Sequence, residues 1–215
     1  MVPCFNEEEA LAPSAAKLLD KLHELMAKQI VGEKSRIVFV DDGSKDRTWD
    51  IIKGLYEEYE EIKGLRFAHN RGHQNAILAG MMYAVKHCDY TITIDADLQQ
   101  DVNAMESFIS AYMEGSEIVY GVRNSRDTDK FFKKLSATMF YKAMKVMDCN
   151  IYENSADYRL MSKKALTALS EYGEVNLFLR GIIPDIGLKS AVVHFDVFPR
   201  MQGASKYSLS KMFTL

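Results

Sequence analysis

The sequence predicts an α/β fold: a doubly wound, mostly parallel sheet with a C-terminal extension that completes the site. Three observations carry this expectation. Strand-like and helix-like signals alternate through the first 122 residues. Strand-like runs such as Arg36-Ile37-Val38-Phe39-Val40 are nearly unbroken in apolar character, as strands covered on both faces are. Acidic turns follow these runs, at the carboxyl edge where open α/β sheets bind ligands.

Each element follows from its local pattern. Pro3 to Glu7 reads as a loop leaving a strand, with no apolar strand residues ahead of Val2. Leu11, Ala15, Leu18, Leu19, Leu22, Leu25 and Met26 recur at helical spacing and make one apolar face. The run 36–40 is a short strand ending in Asp41-Asp42-Gly43-Ser44, where Ser44 or Asp46 is placed to cap the next helix. Thr48 to Tyr59 is amphipathic, 64–68 suits a strand, and His73 to His87 returns to helical period. A strand over 90–94, a helix near 102–113 and a strand over 117–122 complete the first half. Beyond Asp129 the spacing predicts a long helix over 131–147, a short strand at 158–161, helices at 163–169 and 177–183, and a strand over 191–198. This second half reads as an add-on that completes the site, with neither linker nor internal repeat.

With 215 residues, 47% hydrophobic and 27% charged, the chain suits one large domain with a full core. The net charge of −3 gives no argument for a nucleic-acid partner. Basic residues nevertheless gather between Arg123 and Lys145 and again at Arg200, Lys206 and Lys211, which suits a phosphorylated ligand or an anionic membrane surface. Cys4, Cys88 and Cys149 lack metal-ligand spacing and read as reduced thiols of a cytosolic compartment. No signal peptide and no apolar run near the ~18 residues of a membrane span is visible, so the chain as given is expected to be soluble.

The most informative stretch is Tyr90-Thr91-Ile92-Thr93-Ile94-Asp95-Ala96-Asp97. At the end of a strand, alternation with period two points Asp95 and Asp97 to one face. Two adjacent carboxylates repel unless a cation lies between them, and a hard divalent ion such as Mg²⁺ or Mn²⁺ suits oxygen ligands and leaves positions for substrate phosphates. A solvated acidic turn is the bland alternative. His69 and His73 flank Asn70-Arg71-Gly72, but no third nitrogen or sulfur ligand stands at zinc spacing.

The ordered segments VPCFNEEEA, VFVDDGSKDRT, NRGHQNAILAG and ITIDADLQQD resemble the family-2 glycosyltransferases, whose nucleotide-diphospho-sugar transferase fold is of the GT-A type. GVRNSRDTDKFFKKLSATMFYKAM, ENSADYRLMSKKAL, NLFLRG and GASKYSLSKM are similar to the bacterial branch related to dolichyl-phosphate mannose synthase, which glycosylates undecaprenyl phosphate. The resemblance spans nearly the whole chain. It implies a nucleotide-sugar-binding half over residues 1–122 and an acceptor-side half of the same catalytic domain over 123–215.

The family's residues carry over one by one. Pro3, Phe5 and Glu7 would line the nucleobase and ribose pocket, and Asp42 would hydrogen-bond the base, a uracil. Asp95, Ala96 and Asp97 would hold the sugar diphosphate, with Asp95, Asp97 and Gln99 as ligands of Mg²⁺ or Mn²⁺. Arg123, Arg126 and Lys133 or Lys134 would receive the acceptor phosphate and stabilise the diphosphate. Arg200, Gly203, Ser205, Lys206 and Tyr207 would form a mobile loop closing on it. Asp157 matches the position of the catalytic carboxylate in inverting relatives. A lipid phosphate, with a second pKa of about 6, needs little help from a base. Asp157 is therefore either a base, an orienting group, a stabiliser of developing positive charge or an ion-pair partner of Arg159.

The resemblance further implies an inverting transfer from a UDP-sugar to polyprenyl phosphate in cell-envelope glycan synthesis, at the cytoplasmic face of the inner membrane. Relatives generally continue into two membrane helices and can form homo-oligomers. A saccharide or protein acceptor, a non-enzymatic phospho-receiver or nucleotide-binding module, and a nucleotidyltransferase are the alternatives.

Overall fold

In the computed structural model, residues 1–124, 155–173 and 178–199 are described. The elements run β1 (Val2–Cys4), α1 (Leu11–Ala27), β2 (Ile37–Asp41), α2 (Thr48–Glu58), β3 (Ile62–Arg66), α3 (His73–His87), β4 (Tyr90–Thr93), α4 (Ala104–Met113), β5 (Ile118–Arg123), β6 (Ser155–Ser162), α5 (Lys163–Ser170), α6 (Leu179–Asp185) and β7 (Ser190–Phe195). The helix expected over 131–147 lies outside the described residues, as does Cys149.

One ladder is β1-β2-β3, all parallel; the other is β4-β6-β5-β7. Met1 joins them edge to edge, its nitrogen donating to the Ile92 carbonyl at 2.8 Å and its carbonyl accepting from the Ile94 amide at 3.1 Å. β6 is antiparallel to both of its neighbours, β4 and β5, while β5 and β7 are parallel. The expected sheet is thus present as an α/β, mostly parallel arrangement, but with one reversed strand inside it. The second half is not an appendage: it supplies β6 and β7 to the sheet itself.

Period-two alternation decides what each face buries. Phe39, Val119 and Leu160 belong to one core, with Leu11, Leu18, Ile52 and Phe108 from α1, α2 and α4. Their neighbours Val40, Ile118, Tyr120 and Met161 belong to the other core, with Ile77, Met81, Leu166 and Ile183 from α3, α5 and α6. Each such side chain contributes about 1.5–3 kcal/mol on leaving water. This double cover explains the unbroken apolar runs in β2 and β5.

Three local expectations shift. Val2–Cys4 is itself a strand, in register with Phe39–Asp41, instead of the start of a loop. β3 begins two residues earlier than expected, because Ile62 is fully buried opposite Ile37 and draws Lys63 into the ladder. Ser44 does not cap α2; its hydroxyl accepts the Asn6 amide at 2.8 Å, and Asp46 instead accepts the Thr48 amide at 3.0 Å.

Gly121 permits the crossing of β5 and β6. A Cβ there would lie 2.6 Å from the Tyr158 carbonyl oxygen and 3.0 Å from the Phe108 and Phe195 rings. The ladder register shifts at this point, between Tyr120 and Val122. No helix among the described residues is long and apolar enough to cross a membrane.

Candidate active site

Three loops meet at the carboxyl edge of the parallel strands. The loop after β1 is stitched to the loop after β2. The Asn6 side chain accepts the Lys45 amide at 2.8 Å, Thr48 Oγ1 accepts the Glu7 amide at 2.8 Å, and Glu8 accepts the Arg47 amide at 3.1 Å. Pro3 is buried in β1, while Phe5 and Glu7 are half-buried beyond it. Asp41 is fully buried, turned into the β2 loop; it accepts the Ser44 amide at 3.0 Å, and Arg66 Nε lies 3.2 Å from its other oxygen.

Asp42 fastens the third loop. Its Oδ1 accepts the Arg71 amide at 2.6 Å, and its Oδ2 accepts from Asn70 Nδ2 and from the Gly72 amide, both at 2.9 Å. Gly43, with φ +66°, lets this loop close in, since a Cβ would meet the His69 carbonyl carbon at 2.4 Å. The fastened loop then delivers His73 as the first residue of α3.

The Asp95-Ala96-Asp97 segment is a turn beyond the end of β4, closed by the Leu98 amide donating to the Asp95 carbonyl at 3.2 Å. Leu98 has φ +44°. Strand alternation therefore does not set the two carboxylates; the turn does. Ala96 is buried, while Asp95, Asp97 and Gln99 are half-buried. Asp97 Oδ1 accepts the Gln99 amide at 3.2 Å, and the side-chain amide of buried Gln100 donates to Asp95. The turn is tied to its surroundings by Tyr158, whose hydroxyl donates to the Asp101 carbonyl at 3.0 Å, and by the Phe198 amide, which donates to the Gln99 carbonyl at 2.8 Å.

The reversed direction of β6 brings Asp157 to the same edge. Thr93 pairs with Arg159, and carrying this register two residues onward sets Asp157 level with Asp95. Arg159 Nη2 donates to Asp157 Oδ1 at 2.7 Å, and Arg180 from α6 donates through Nη2 to Oδ2 at 3.0 Å and through Nε to Oδ1 at 3.3 Å. His73 Nε2 lies 3.5 Å from Asp157 Oδ2 and 3.8 Å from Asp95 Oδ1, standing between the two carboxylates.

Burial opposes ionisation of Asp157, but the His73 hydrogen bond and the Arg159 and Arg180 guanidiniums outweigh it and hold the carboxyl far below the usual range. His73 is raised: burial pulls it down, and the Asp157 hydrogen bond and the charges of Asp95 and Asp157 push it up further. Asp95 is also raised, by burial first and then by the charges of Asp157 and Asp97, against the opposing His73 and Gln100.

A second cation is what this repulsion calls for. Among the described residues no group of three or more His, Cys, Asp or Glu forms a metal cage. Mg²⁺ and Mn²⁺ do not require one, since one or two carboxylates suffice when phosphates and water complete the shell. Asp95 and Asp97 offer only oxygen ligands and are half-buried, and burial disfavours the charge of Asp95 itself, so the pair fits such an ion.

Arg123 ends β5 on the same edge and is exposed, in register with Phe195. Arg126, Lys133, Lys134, Arg200, Gly203, Ser205, Lys206 and Tyr207 lie outside the described residues. A cavity of about 480 Å³ lies at the opposite end of the strands, lined by Leu18, Leu22, Leu25, Ile37 and Ile92, and holds none of the candidate residues.

The sequence alone does not single out His73, Gln100 or Arg180 for the site. His73 enters it only through a rejected zinc site, although a histidine opening a helix at a strand edge is a signal in its own right. Gln99 stands out before Gln100, because the parity of a turn cannot be read from spacing. Arg180 lies in the NLFLRG segment that carries the family resemblance, but nothing in that segment shows its contact with Asp157, which is made only through the tertiary fold.

Known proteins share this architecture. Glucosyl-3-phosphoglycerate synthase from Mycobacterium tuberculosis, solved with phosphoglyceric acid, superposes over 98% of this chain and 72% of its own, with TM-score 0.62 and 15% identity. The same enzyme with Mn²⁺, UDP-glucose and phosphoglyceric acid superposes over the same shares, with TM-score 0.58 and 13% identity. At such identities the likeness concerns the fold, which is of the GT-A type.

Sequence relatives are nearer. The uncharacterized glycosyltransferase YkoT of Bacillus subtilis (strain 168) is 47% identical over 214 residues, covering 100% of this chain and 64% of the relative. The prophage bactoprenol glucosyl transferase homolog of Escherichia coli (strain K12) is 34% identical over 216 residues, covering 100% of this chain and 68% of the relative. The chain thus spans about two-thirds of the length of these proteins. The glycosyl transferase family 2 profile matches residues 1–170, and the chain belongs to that family.

Proposed function

We propose that this chain forms the catalytic part of a metal-dependent, inverting glycosyltransferase that moves a sugar from a UDP-sugar to polyprenyl phosphate at the cytoplasmic face of the membrane. One observation carries the reading. The acidic turn after β4 and the start of β6 converge on His73, which supports a diphosphate-binding edge adjoining an acceptor edge. The bactoprenol glucosyl transferase relative supports the lipid phosphate, and the fold neighbour with Mn²⁺ and UDP-glucose supports the donor and the ion.

In this reading Pro3, Phe5, Glu7 and Asp42 line the uridine, with Asp42 shaping its wall through the 70–72 loop. Asp95 and Asp97, with Gln99, would hold Mg²⁺ or Mn²⁺ against the sugar diphosphate next to Ala96. The ion, when bound, neutralises charge on the departing diphosphate. Arg123 stands at the acceptor edge, and Arg126, Lys133, Arg200, Ser205 and Lys206 are assigned to the acceptor phosphate and diphosphate. Attack from the face opposite the leaving group inverts the anomeric carbon.

Calorimetry with UDP and Mn²⁺ tests the donor side. Wild type should bind, and Asp97→Ala should lose binding at least tenfold while unfolding normally; equal binding would sink the metal assignment. Transfer of label from several UDP-sugars to polyprenyl phosphate tests the acceptor side. Product on a free saccharide alone would replace the lipid acceptor with a hydroxyl one.

A further inference from the structure

We propose that Gln100 determines which ion the acidic turn accepts, by holding Asp95 so that it offers a single oxygen and thereby favours Mg²⁺ or Mn²⁺ over Ca²⁺. The proposal rests on the metal-dependent reading of Asp95 and Asp97, and adds to it a source of selectivity. The two oxygens of Asp95 face different surroundings. Oδ2 accepts from Nε2 of Gln100, a residue only 1% exposed. Oδ1 faces His73, whose Nε2 lies 3.8 Å away, beyond hydrogen-bond reach, on a side chain 38% exposed. The carboxylate therefore stands edge-on. One oxygen is directed into the protein, and the other at the open edge where Asp157 also meets His73.

Gln100 is anchored in this role by its main chain. It forms a bridge with Val197, and the Phe198 amide donates to the carbonyl of adjacent Gln99 at 2.8 Å. The sense of the amide is fixed as well. A flipped amide would set its oxygen against the Asp95 carboxylate, acceptor facing acceptor, so only the N–H can point there. In that orientation Gln100 Oε1 is buried with no hydrogen-bond partner among the described residues. A buried acceptor left unpaired destabilises a fold. An apolar side chain of the same length would avoid that cost, so what the amide contributes at this position is its hold on Asp95.

Ions differ in what they ask of a carboxylate. Ca²⁺ gathers roughly six to eight oxygens in a flexible shell and readily takes both oxygens of one carboxylate. Mg²⁺ is smaller, demands near-octahedral geometry, and is held by one or two carboxylates alongside water and phosphates. Mn²⁺ likewise suits octahedral oxygen sites. To engage both oxygens of Asp95, Ca²⁺ would have to enter the protein interior beside Gln100. The tie thus withholds the contact that favours Ca²⁺ and leaves the one that suits the smaller ions.

The test is calorimetry of UDP binding in Mn²⁺ and in Ca²⁺, with Gln100→Met as the variant that keeps the length and removes the donor. Wild type should bind UDP at least about tenfold more tightly with Mn²⁺ than with Ca²⁺. Gln100→Met should narrow that ratio to less than about threefold, with an unfolding midpoint equal to wild type or higher. A merely structural defect would weaken binding with both ions alike and leave the ratio as it was, an outcome that overturns the proposal. A wild-type ratio near one overturns it too. UDP binding by wild type that ignores both ions would instead sink the metal reading of Asp95 and Asp97, and the proposal with it. Should Gln100→Met fail to fold, Gln100→Asn keeps an amide one methylene too short to reach Asp95, and the same ratios decide.

Discussion

Asp42 and Arg71 are joined by a 2.6 Å hydrogen bond from the Arg71 amide to the Asp42 carboxylate, which makes a side chain just beyond β2 the support of the loop before α3. Together with the bonds from Asn70 and Gly72, this fixes where His73 begins its helix. Asp42→Ala should cost about 2–4 kcal/mol, because two loop amides and one side-chain amide lose an ionised acceptor. Urea unfolding would measure the loss. UDP affinity should fall in parallel, since the loop bounds the proposed uridine site.

Gly121→Ala should destabilise the fold by about 1–3 kcal/mol, because the added methyl meets β6 backbone and not a flexible side chain. The effect should appear in the unfolding midpoint and leave the urea m-value unchanged.

Tyr158→Phe removes the hydroxyl that donates to the Asp101 carbonyl while keeping the buried ring. A loss of about 1 kcal/mol is expected. The turn at 95–97 loses one of its ties to the core, so Mn²⁺-dependent UDP binding should weaken more than metal-free UDP binding. Calorimetry with and without Mn²⁺ separates the two.

Glu106 on α4 accepts from Lys21 at 2.8 Å and from Lys28 at 2.9 Å, and these bonds, Lys21 first, pull its carboxyl from the usual 4.5 down to about 2. A folded-state value below the unfolded one stabilises at pH above 4.5, and this contribution is lost as pH falls through about 2. Glu106→Gln should therefore melt below wild type at neutral pH, with the gap closing under acid conditions. Melting curves taken between pH 7 and pH 2 check the sign.

Much of the scaffold was legible because its signals are local. The span 73–87 matches α3 residue for residue, since helical period, the preceding Gly72 and the following β-type run agree. β2 and β5 announced themselves by burial on both faces. The reversal of β6 was not legible. Its partners Tyr90 and Ile118 are remote in sequence, and nothing in Ser155–Ser162 states a direction. The site divides in the same way. Asp95 and Asp97 stand out as carboxylates after a strand-like run and Asp157 is marked by the family resemblance, yet the guanidinium of Arg180 reaches Asp157 from a separate helix. The aspartate pair is legible in the sequence, but its side chains are set by a closed turn with Leu98 at positive φ, not by strand alternation.

The reversed strand β6 also governs when this molecule can become a molecule at all. β4 and β5 do not touch as neighbours; each waits for β6 to arrive between them. During synthesis the parallel ladder of β1, β2 and β3 can assemble early, while the edge of β4 stays exposed until the ribosome has passed Ser162. Such non-local pairing is slow, and unpaired edges invite association with other chains. The same insertion that brings Asp157 beside Asp95 thus makes nascent chains halted between β5 and β6 prone to aggregate.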